Sequence, residues 1–246
     1  MVGNFHDPRQ NHLLAAMPQQ VFERLEPYLL LTPMPPGKVL YETGSKLASV
    51  YFPTTCIVSL IYTMKDGRST EIALTGNEGM LGVSLILGGK VVPNRAVVQS
   101  AGHAYRLKAP LLMNEFNSSG ELQQSLLRFT LTLLTQIAQT AVCNQHHSVE
   151  QQLCRWMLLS LDRLPSNTLS MTHELIADRL GVRRMGVSEA AGKLQRAGLI
   201  KYNRGQITIL ERARLEAQSC ECYGVLKAEY NRMFAPAISY PLVVGA

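Results

Sequence analysis

One stretch constrains the fold of this chain more than any other: residues 171–200, MTHELIADRLGVRRMGVSEAAGKLQRAGLI. Small and apolar residues recur at helical spacing on both sides of Gly181. Ala177 is small enough to let two helices cross closely, and glycine adopts the left-handed conformation that a tight turn between them needs. The spacing therefore predicts a helix-turn-helix. Its buried side is expected to consist of Ile176, Leu180, Val182, Val187 and Ala190.

The two predicted helices begin differently. Thr172 is a good N-cap for the first helix. Arg183 stands where Ser, Thr or Asp would cap the second, and a missing cap costs about 1 kcal/mol. A cation beside the positive end of the helix dipole adds a small penalty. Duplex phosphates would satisfy both the helix end and the guanidinium, so we predict that Arg183 contacts phosphate and Arg184 contacts phosphate or a guanine edge.

The segment after the second helix predicts a β-hairpin with a basic tip. LIKY and QITIL flank the turn Asn203-Arg204-Gly205. Such a wing usually lies along the sugar-phosphate chain, where Arg204 is the expected contact. Residues 171–210 hold seven Lys/Arg and three Asp/Glu, within a chain of net charge +6. A local basic excess is typical of polyanion binding, although a solvated basic face would have the same composition.

The N-terminal half predicts a different architecture. A helical pattern over 13–31 is followed by short β-branched and aromatic runs with turn signals between them, including Asp66-Gly67, a good hairpin turn. Such spacing predicts an antiparallel β-roll, with one or two helical turns inside residues 80–89. The predicted strands are 38–42, 48–52, 56–62, 70–75, 95–100 and 103–108.

Residues 121–147 predict a helix of about 27 residues, spanning roughly 40 Å. A narrow apolar stripe favours pairing with a second copy of the chain, and a helix laid along its own domain's core is the alternative. The predicted pairing residues are Leu126, Phe129, Leu133 and Ile137. Further helices are predicted over 149–164 and 211–234, and the tail beyond them has no clear element.

The order of a β-roll, a long pairing helix and a winged helix-turn-helix resembles the Crp/Fnr family of bacterial transcription regulators. The resemblance implies an α+β fold in three parts: a β-roll domain (1–120), a dimerisation helix (121–147) and a DNA-binding domain (148–246). It also implies a dimer that binds specific double-stranded DNA, with RNA polymerase as a further partner. The predicted DNA-binding residues are Thr172, His173, Arg183, Arg184, Met185, Ser188, Glu189, Lys193 and Arg204. The best-known members carry an Arg-Glu-x-x-x-Arg set here, of which only Arg184 agrees, so a different DNA site is expected.

The effector pocket that the resemblance implies would comprise Gly82, Val83, Ser84, Arg95 and Ala96. Cyclic-AMP-binding members have Gly-Glu-Leu and Arg-Ser in these places. Here Val83 replaces the glutamate that accepts the ribose hydroxyl, and Ala96 replaces the serine, which disfavours tight cyclic AMP binding. Arg95 could meet another anion or form a structural ion pair. The effector is therefore unidentified, and a regulator without one, or with a degenerate sensor that binds protein, is the alternative.

Five cysteines without a CxxC pair predict reduced thiols in a cytoplasmic protein: Cys56, Cys143, Cys154, Cys220 and Cys222. Cys220 and Cys222 would point about 200° apart on a helix and clamp a metal poorly. We therefore expect no metal and no cofactor. For haem, His103 and the pair His146-His147 are the only candidate ligands, and none stands out.

An enzyme is the rival class, since β-rolls also host metal-dependent oxygenases and isomerases. Their sites need His-x-His with a carboxylate, and His103 is the only histidine between residues 32 and 110. We expect no enzymatic activity. No apolar run approaches the length that a membrane-spanning helix needs, and the N-terminus has no signal-peptide pattern. A cytoplasmic protein without a membrane partner is therefore expected.

Overall fold

A computed structural model describes residues 7–235 of the chain. The predicted α+β fold is confirmed, with an N-terminal roll of two open antiparallel sheets rather than a closed barrel. One sheet has the strand order β1-β7-β3 and the other β2-β6-β4-β5. These strands are β1 (Leu30–Met34), β2 (Val39–Tyr41), β3 (Ser49–Pro53), β4 (Ile57–Thr63), β5 (Ser69–Thr75), β6 (Arg95–Ser100) and β7 (Gly102–Lys108).

The helix predicted over 13–31 is wrong in extent. The segment forms α1 (His12–Ala15), α2 (Gln19–Leu25) and a 3₁₀ turn that ends at Tyr28, and it continues as β1. Pro27 cannot donate a helical hydrogen bond, and the chain beyond it pairs with β7 instead. A 3₁₀ turn over Val83–Leu85 fulfils the prediction of a short helical insert, and Gly67 has the positive φ of 86° that the predicted hairpin turn needs.

The long helix α4 (Gly120–His146) follows an unpredicted helix, α3 (Ala109–Ser118). Ser119 caps α4 by accepting a 3.3 Å hydrogen bond from the backbone N–H of Leu122. The expectation that no apolar run reaches the length of a membrane-spanning helix is wrong for α4, which is long and apolar enough to cross a membrane. Buried helices of soluble proteins pass the same test, and 39% of the most apolar stretch of α4 is buried in this chain.

The stripe on α4 that the sequence predicts for pairing is buried within the chain itself. Leu126, Phe129 and Leu133 are at most 8% exposed, because they pack against the chain's own roll, and Ile137 is half-buried beside it. The alternative, a helix laid along its own core, therefore describes these four residues. A different apolar stripe is open on the same helix: Leu127, Leu131, Leu134 and Val142 are 44–58% exposed.

The C-terminal part begins with α5 (Val149–Leu161), which Ser148 and Gln151 start with a capping box. The helix predicted over 211–234 is two helices, because the backbone is extended at Ser219 and Cys220. The predicted tail beyond residue 235 lies outside the described residues. The remaining elements are β8 (Thr168–Ser170), α6 (His173–Leu180), α7 (Arg184–Arg196), β9 (Ile200–Asn203), β10 (Gln206–Ile209), α8 (Arg212–Gln218) and α9 (Glu221–Met233).

Buried polar contacts join the roll to the C-terminal part. The Arg163 guanidinium at the end of α5 lies 2.8 Å from the Glu78 carboxylate, and the two side chains are only 3% and 8% exposed. The Trp156 indole N–H donates to the Glu71 carboxylate at 3.1 Å, and burial raises the pKa of that carboxyl. These contacts hold α5, and with it the helix-turn-helix, against the sheet β2-β6-β4-β5.

Candidate nucleic-acid interface

The helix-turn-helix forms as its spacing predicts. Thr172 caps α6 by accepting a 3.3 Å hydrogen bond from the backbone N–H of Leu175. Gly181 ends α6 in the left-handed conformation, with φ of 68°. The apolar residues predicted to face inward pack in one core with α5, and only Val182 among them is partly exposed. This core fixes the direction of α7 relative to the rest of the domain.

The N-terminus of α7 presents two exposed arginines. Arg183 is the N-cap residue, its side chain makes no cap hydrogen bond, and the first turn contains no acidic residue. Both Arg183 and Arg184 are exposed. Within residues 7–235, neither forms an ion pair with an acidic side chain. The open amides of the helix end and two guanidinium groups therefore concentrate positive charge where an anion can approach.

The exposed face of α7 continues through residues of mixed chemistry. Met185 is 83% exposed. One turn further, Glu189 pairs with Lys193 at 3.1 Å, with both side chains more than half exposed. An exposed pair of this kind is weak, so either side chain can leave it for another partner.

His173, which is predicted to contact DNA, makes internal contacts in this structure. Its ring stacks on Tyr202 of β9 with centroids 4.2 Å apart, and Nδ1 lies 2.9 Å from the hydroxyl of Ser188 on α7. Burial, together with the positive charge of Arg184, lowers the pKa of His173. The half-buried ring thus ties the start of α6 to α7 and to the wing.

The wing is a tight hairpin. Its two central residues, Arg204 and Gly205, have φ of 47° and 80°, the positive values that a type I′ turn requires. The Gly205 carbonyl accepts a 2.6 Å hydrogen bond from the backbone N–H of Met171, so the tip lies beside the start of α6. β8 adds a third strand to this hairpin that the sequence pattern did not indicate.

The turn geometry makes Arg204→Asn an informative change. Asparagine is favoured in type I′ turns and adopts positive φ more readily than arginine, so we expect unchanged or slightly higher thermal stability. The variant should bind any duplex more weakly, and the slope of log K against log salt should fall by about one phosphate contact. Fluorescence anisotropy titrations at several salt concentrations measure both. An unchanged slope would show that Arg204 does not contact phosphate.

The predicted effector residues separate into two groups. Gly82, Val83 and Ser84 line a cavity of about 200 Å³ between the roll and α4. Arg95 is absent from that cavity and pairs at 3.2 Å with Glu42 on the surface, and Ala96 is fully buried in the core. The structural ion pair, one of the two alternatives for Arg95, is therefore the contact that this residue makes here. Among the described residues, the cavity lining is apolar, with hydroxyls and one amide but no charged side chain.

The cysteine geometry also differs from expectation. Cys220 is the N-cap of α9 and Cys222 lies in its first turn, so the two thiols do not project from one regular helix. Together with Cys143 and His147 at the end of α4, their ligand atoms lie within 4.8 Å of one another. The expectation that the two thiols diverge is therefore wrong.

Comparisons with known proteins agree with this architecture. Residues 151–218 match the Crp-like helix-turn-helix domain family. No curated protein sequence matches the chain significantly.

Solved structures of regulators share the fold over most of the chain. FixK2 from Bradyrhizobium japonicum is 18% identical, with a TM-score of 0.66 over 78% of this chain and 98% of its own. A CRP-family transcriptional regulator from Thermus thermophilus is also 18% identical, with a TM-score of 0.65 over 76% of this chain and 96% of its own. The c-di-GMP-responsive global regulator CLP from Xanthomonas campestris is 15% identical, with a TM-score of 0.58 over 78% of this chain and 99% of its own. Residues 151–218 thus form a Crp-like helix-turn-helix domain, and most of the chain has the fold of these Crp/Fnr regulator structures.

Proposed function

We propose that this chain is a cytoplasmic transcription regulator that binds specific double-stranded DNA as a homodimer and is not an enzyme. The observation that carries the proposal is the N-terminus of α7, where Arg183 and Arg184 are exposed and have no acidic partner among the described residues, inside a Crp-like domain. In this role Arg183 and Arg204 bind phosphate, while Arg184, Met185 and Glu189 face base edges in the major groove. RNA polymerase is the partner through which such a regulator would act.

The exposed stripe on α4 supports the homodimer. Leu127, Leu131 and Leu134 are followed by the exposed Ala138 and Ala141, which gives alternating intervals of four and three residues. That alternation is the seam of a coiled coil. Pairing of two α4 helices along it would place the two copies of α7 about one DNA turn, roughly 34 Å, apart.

The lining of the cavity favours an uncharged effector. Thr130, Leu133 and Leu134 of α4 line it together with residues of the roll. A ligand there would contact the proposed dimer helix directly, which gives it a route to bias the arrangement of the two α7 helices. Since no charged side chain of the described residues lines the cavity, a small, mostly apolar molecule fits its chemistry better than a cyclic nucleotide phosphate.

Binding itself is the first test. Sites selected from a random duplex library should contain a two-fold related pair of half-sites, and binding to random duplex should weaken steeply as salt rises. Salt-insensitive or absent binding would contradict the proposal and favour a protein-interaction role.

Arg184→Ala separates base contact from phosphate contact. If Arg184 contacts a guanine edge, the variant should lose about 1–3 kcal/mol, roughly 5- to 150-fold, on the selected site and discriminate less at one base pair. Anisotropy titrations with the selected site, its single-base variants and random duplex measure this. Arg68→Ala removes a 78% exposed arginine of the roll and serves as the control. Equal loss on selected and random duplex would assign Arg184 to phosphate.

A further inference from the structure

Four side chains that can ligate a metal meet where α4 ends. Cys143 and His147 come from α4 and its C-cap, while Cys220 and Cys222 come from the junction of α8 and α9. The three cysteines are at most 4% exposed and form a cluster of their own. All four ligand atoms lie within 4.8 Å of one another.

Local structure explains why they meet. Cys143 and His147 are four residues apart, so both project from the same side of the last turn of α4. The extended backbone at Ser219 and Cys220 starts a new helix, and α9 packs along α4. Two segments that are distant in the sequence thus bring two ligands each to one point.

The distances suit one metal ion. The Cys143 and Cys220 sulfurs are 3.5 Å apart, and the Cys222 sulfur lies 3.7 Å from Nδ1 of His147. A tetrahedral Zn²⁺ site with Zn–S bonds of about 2.3 Å has edges of roughly 3.8 Å. An iron–sulfur cluster places several iron and sulfide atoms between its thiolates and needs a wider opening.

The surroundings orient the histidine as a ligand. Nε2 of His147 lies 3.2 Å from the Glu221 carboxylate, so Nδ1 is the nitrogen that faces the thiols. Metal-bound histidines commonly hold their other ring nitrogen in this way. The Gln152 amide N–H donates to the His147 carbonyl at 2.9 Å, which fixes the C-cap.

A buried positive charge also lies near the cluster. Arg155 of α5 is 3% exposed, and its Nε has no hydrogen-bond partner among the described residues. Its guanidinium donates to the Thr140 hydroxyl of α4 at 3.3 Å, about one helical turn before Cys143. Three thiolates with Zn²⁺ carry a net charge of −1, which a nearby guanidinium would offset.

We propose that Cys143, His147, Cys220 and Cys222 bind one Zn²⁺ ion as a closed structural site. Three thiolates and one imidazole are a common donor set for structural zinc, and thiolates select it over harder cations. The ion would fasten α9 to the hinge between the long helix and the helix-turn-helix domain. This inference does not depend on DNA binding.

Metal analysis of the untagged, full-length protein tests the site. We expect one zinc per chain by inductively coupled plasma mass spectrometry, and less than a tenth of that in Cys143→Ser and Cys220→Ser. Cys56→Ser changes a fully buried thiol of the roll and should retain the zinc. Reduced apoprotein should take up Co²⁺ with the absorption of a tetrahedral thiolate complex.

A further variant tests the site without changing a buried cysteine, in case the serine variants misfold. Glu221→Ala keeps all four ligands and removes a largely exposed side chain, so zinc affinity measured by chelator competition should fall about 10- to 100-fold. Three results would overturn the proposal: zinc-free protein from zinc-supplemented medium that also takes up no Co²⁺, a Cys143–Cys220 disulfide in protein purified under reduction, or an iron–sulfur chromophore.

Discussion

Leu131→Glu is expected to convert the protein from dimer to monomer and to weaken binding to its selected DNA site by about 10²- to 10⁴-fold. Leu131 is 58% exposed at the middle of the stripe on α4. A coiled-coil seam would bury two copies of the glutamate facing each other, where neither charge has a partner. A monomer binds each half-site independently. It therefore loses the increase in affinity that comes from linking two binding domains, which is typically 10²- to 10⁴-fold.

Light scattering after gel filtration gives the mass, and anisotropy titrations give the affinity. Tyr28→Glu places the same charge at another exposed apolar residue, 54% exposed and outside α4, and should change neither quantity. Far-UV circular dichroism checks that α4 is intact. If the Leu131→Glu protein is still a dimer, the exposed stripe on α4 is not the dimer interface. If it is a monomer that binds its site at full affinity, DNA binding does not require the dimer.

The two apolar stripes on α4 show what a sequence pattern can and cannot predict about a helix. Leu126 and Leu127 are neighbours, as are Leu133 and Leu134, and in each pair one side chain is buried and the other exposed. The helical spacing of its apolar residues predicts that the helix forms and that it is apolar. It could not decide which stripe faces the roll, because that choice depends on the shape of the sheet against which Phe129 packs.

The helix-turn-helix was predictable for a physical reason. Its spacing follows from local rules: a cap at Thr172, a small residue at the crossing and a left-handed glycine at the turn. Nothing local marks His173 as an internal contact, because its partner Tyr202 lies beyond both helices, on a strand of the wing. Arg95 likewise sits at the position that the family resemblance indicates, yet its side chain is paired with Glu42 outside the cavity.

The sequence pattern does not reveal the cysteine cluster, because the cluster depends on a break between two helices. Treating residues 211–234 as a continuous helix separates Cys220 from Cys222, and the break at Ser219 brings them together. The spacing of Cys143 and His147 by four residues was a usable signal on a predicted helix. The second pair of ligands could be placed beside them only once the packing of α9 on α4 was known.

Arg163→Met is expected to lower the free energy of unfolding by about 3–5 kcal/mol, because it leaves the Glu78 carboxylate buried without its charged partner. The guanidinium lies 2.8 Å from that carboxylate, donates to the Leu159 carbonyl, and contacts the hydroxyl and ring of Tyr230 on α9. It therefore joins the roll, α5 and α9 at one point. Urea unfolding should be followed by circular dichroism and by the fluorescence of Trp156, the only tryptophan of the chain, which lies on the same seam.

A double variant distinguishes the lost ion pair from lost packing. Glu78→Gln combined with Arg163→Met removes both charges, so it should be clearly more stable than Arg163→Met alone. Arg68→Met is the matched control, since Arg68 pairs with Asp66 at 2.8 Å with 78% and 49% of the two side chains exposed, and such exposed pairs contribute little. If the double variant is no more stable than Arg163→Met, the stability that Arg163 contributes comes from the packing of its side chain and not from its charge. If Arg163→Met unfolds like the wild type, the contacts of Arg163 do not stabilise the packing of the roll against the C-terminal part.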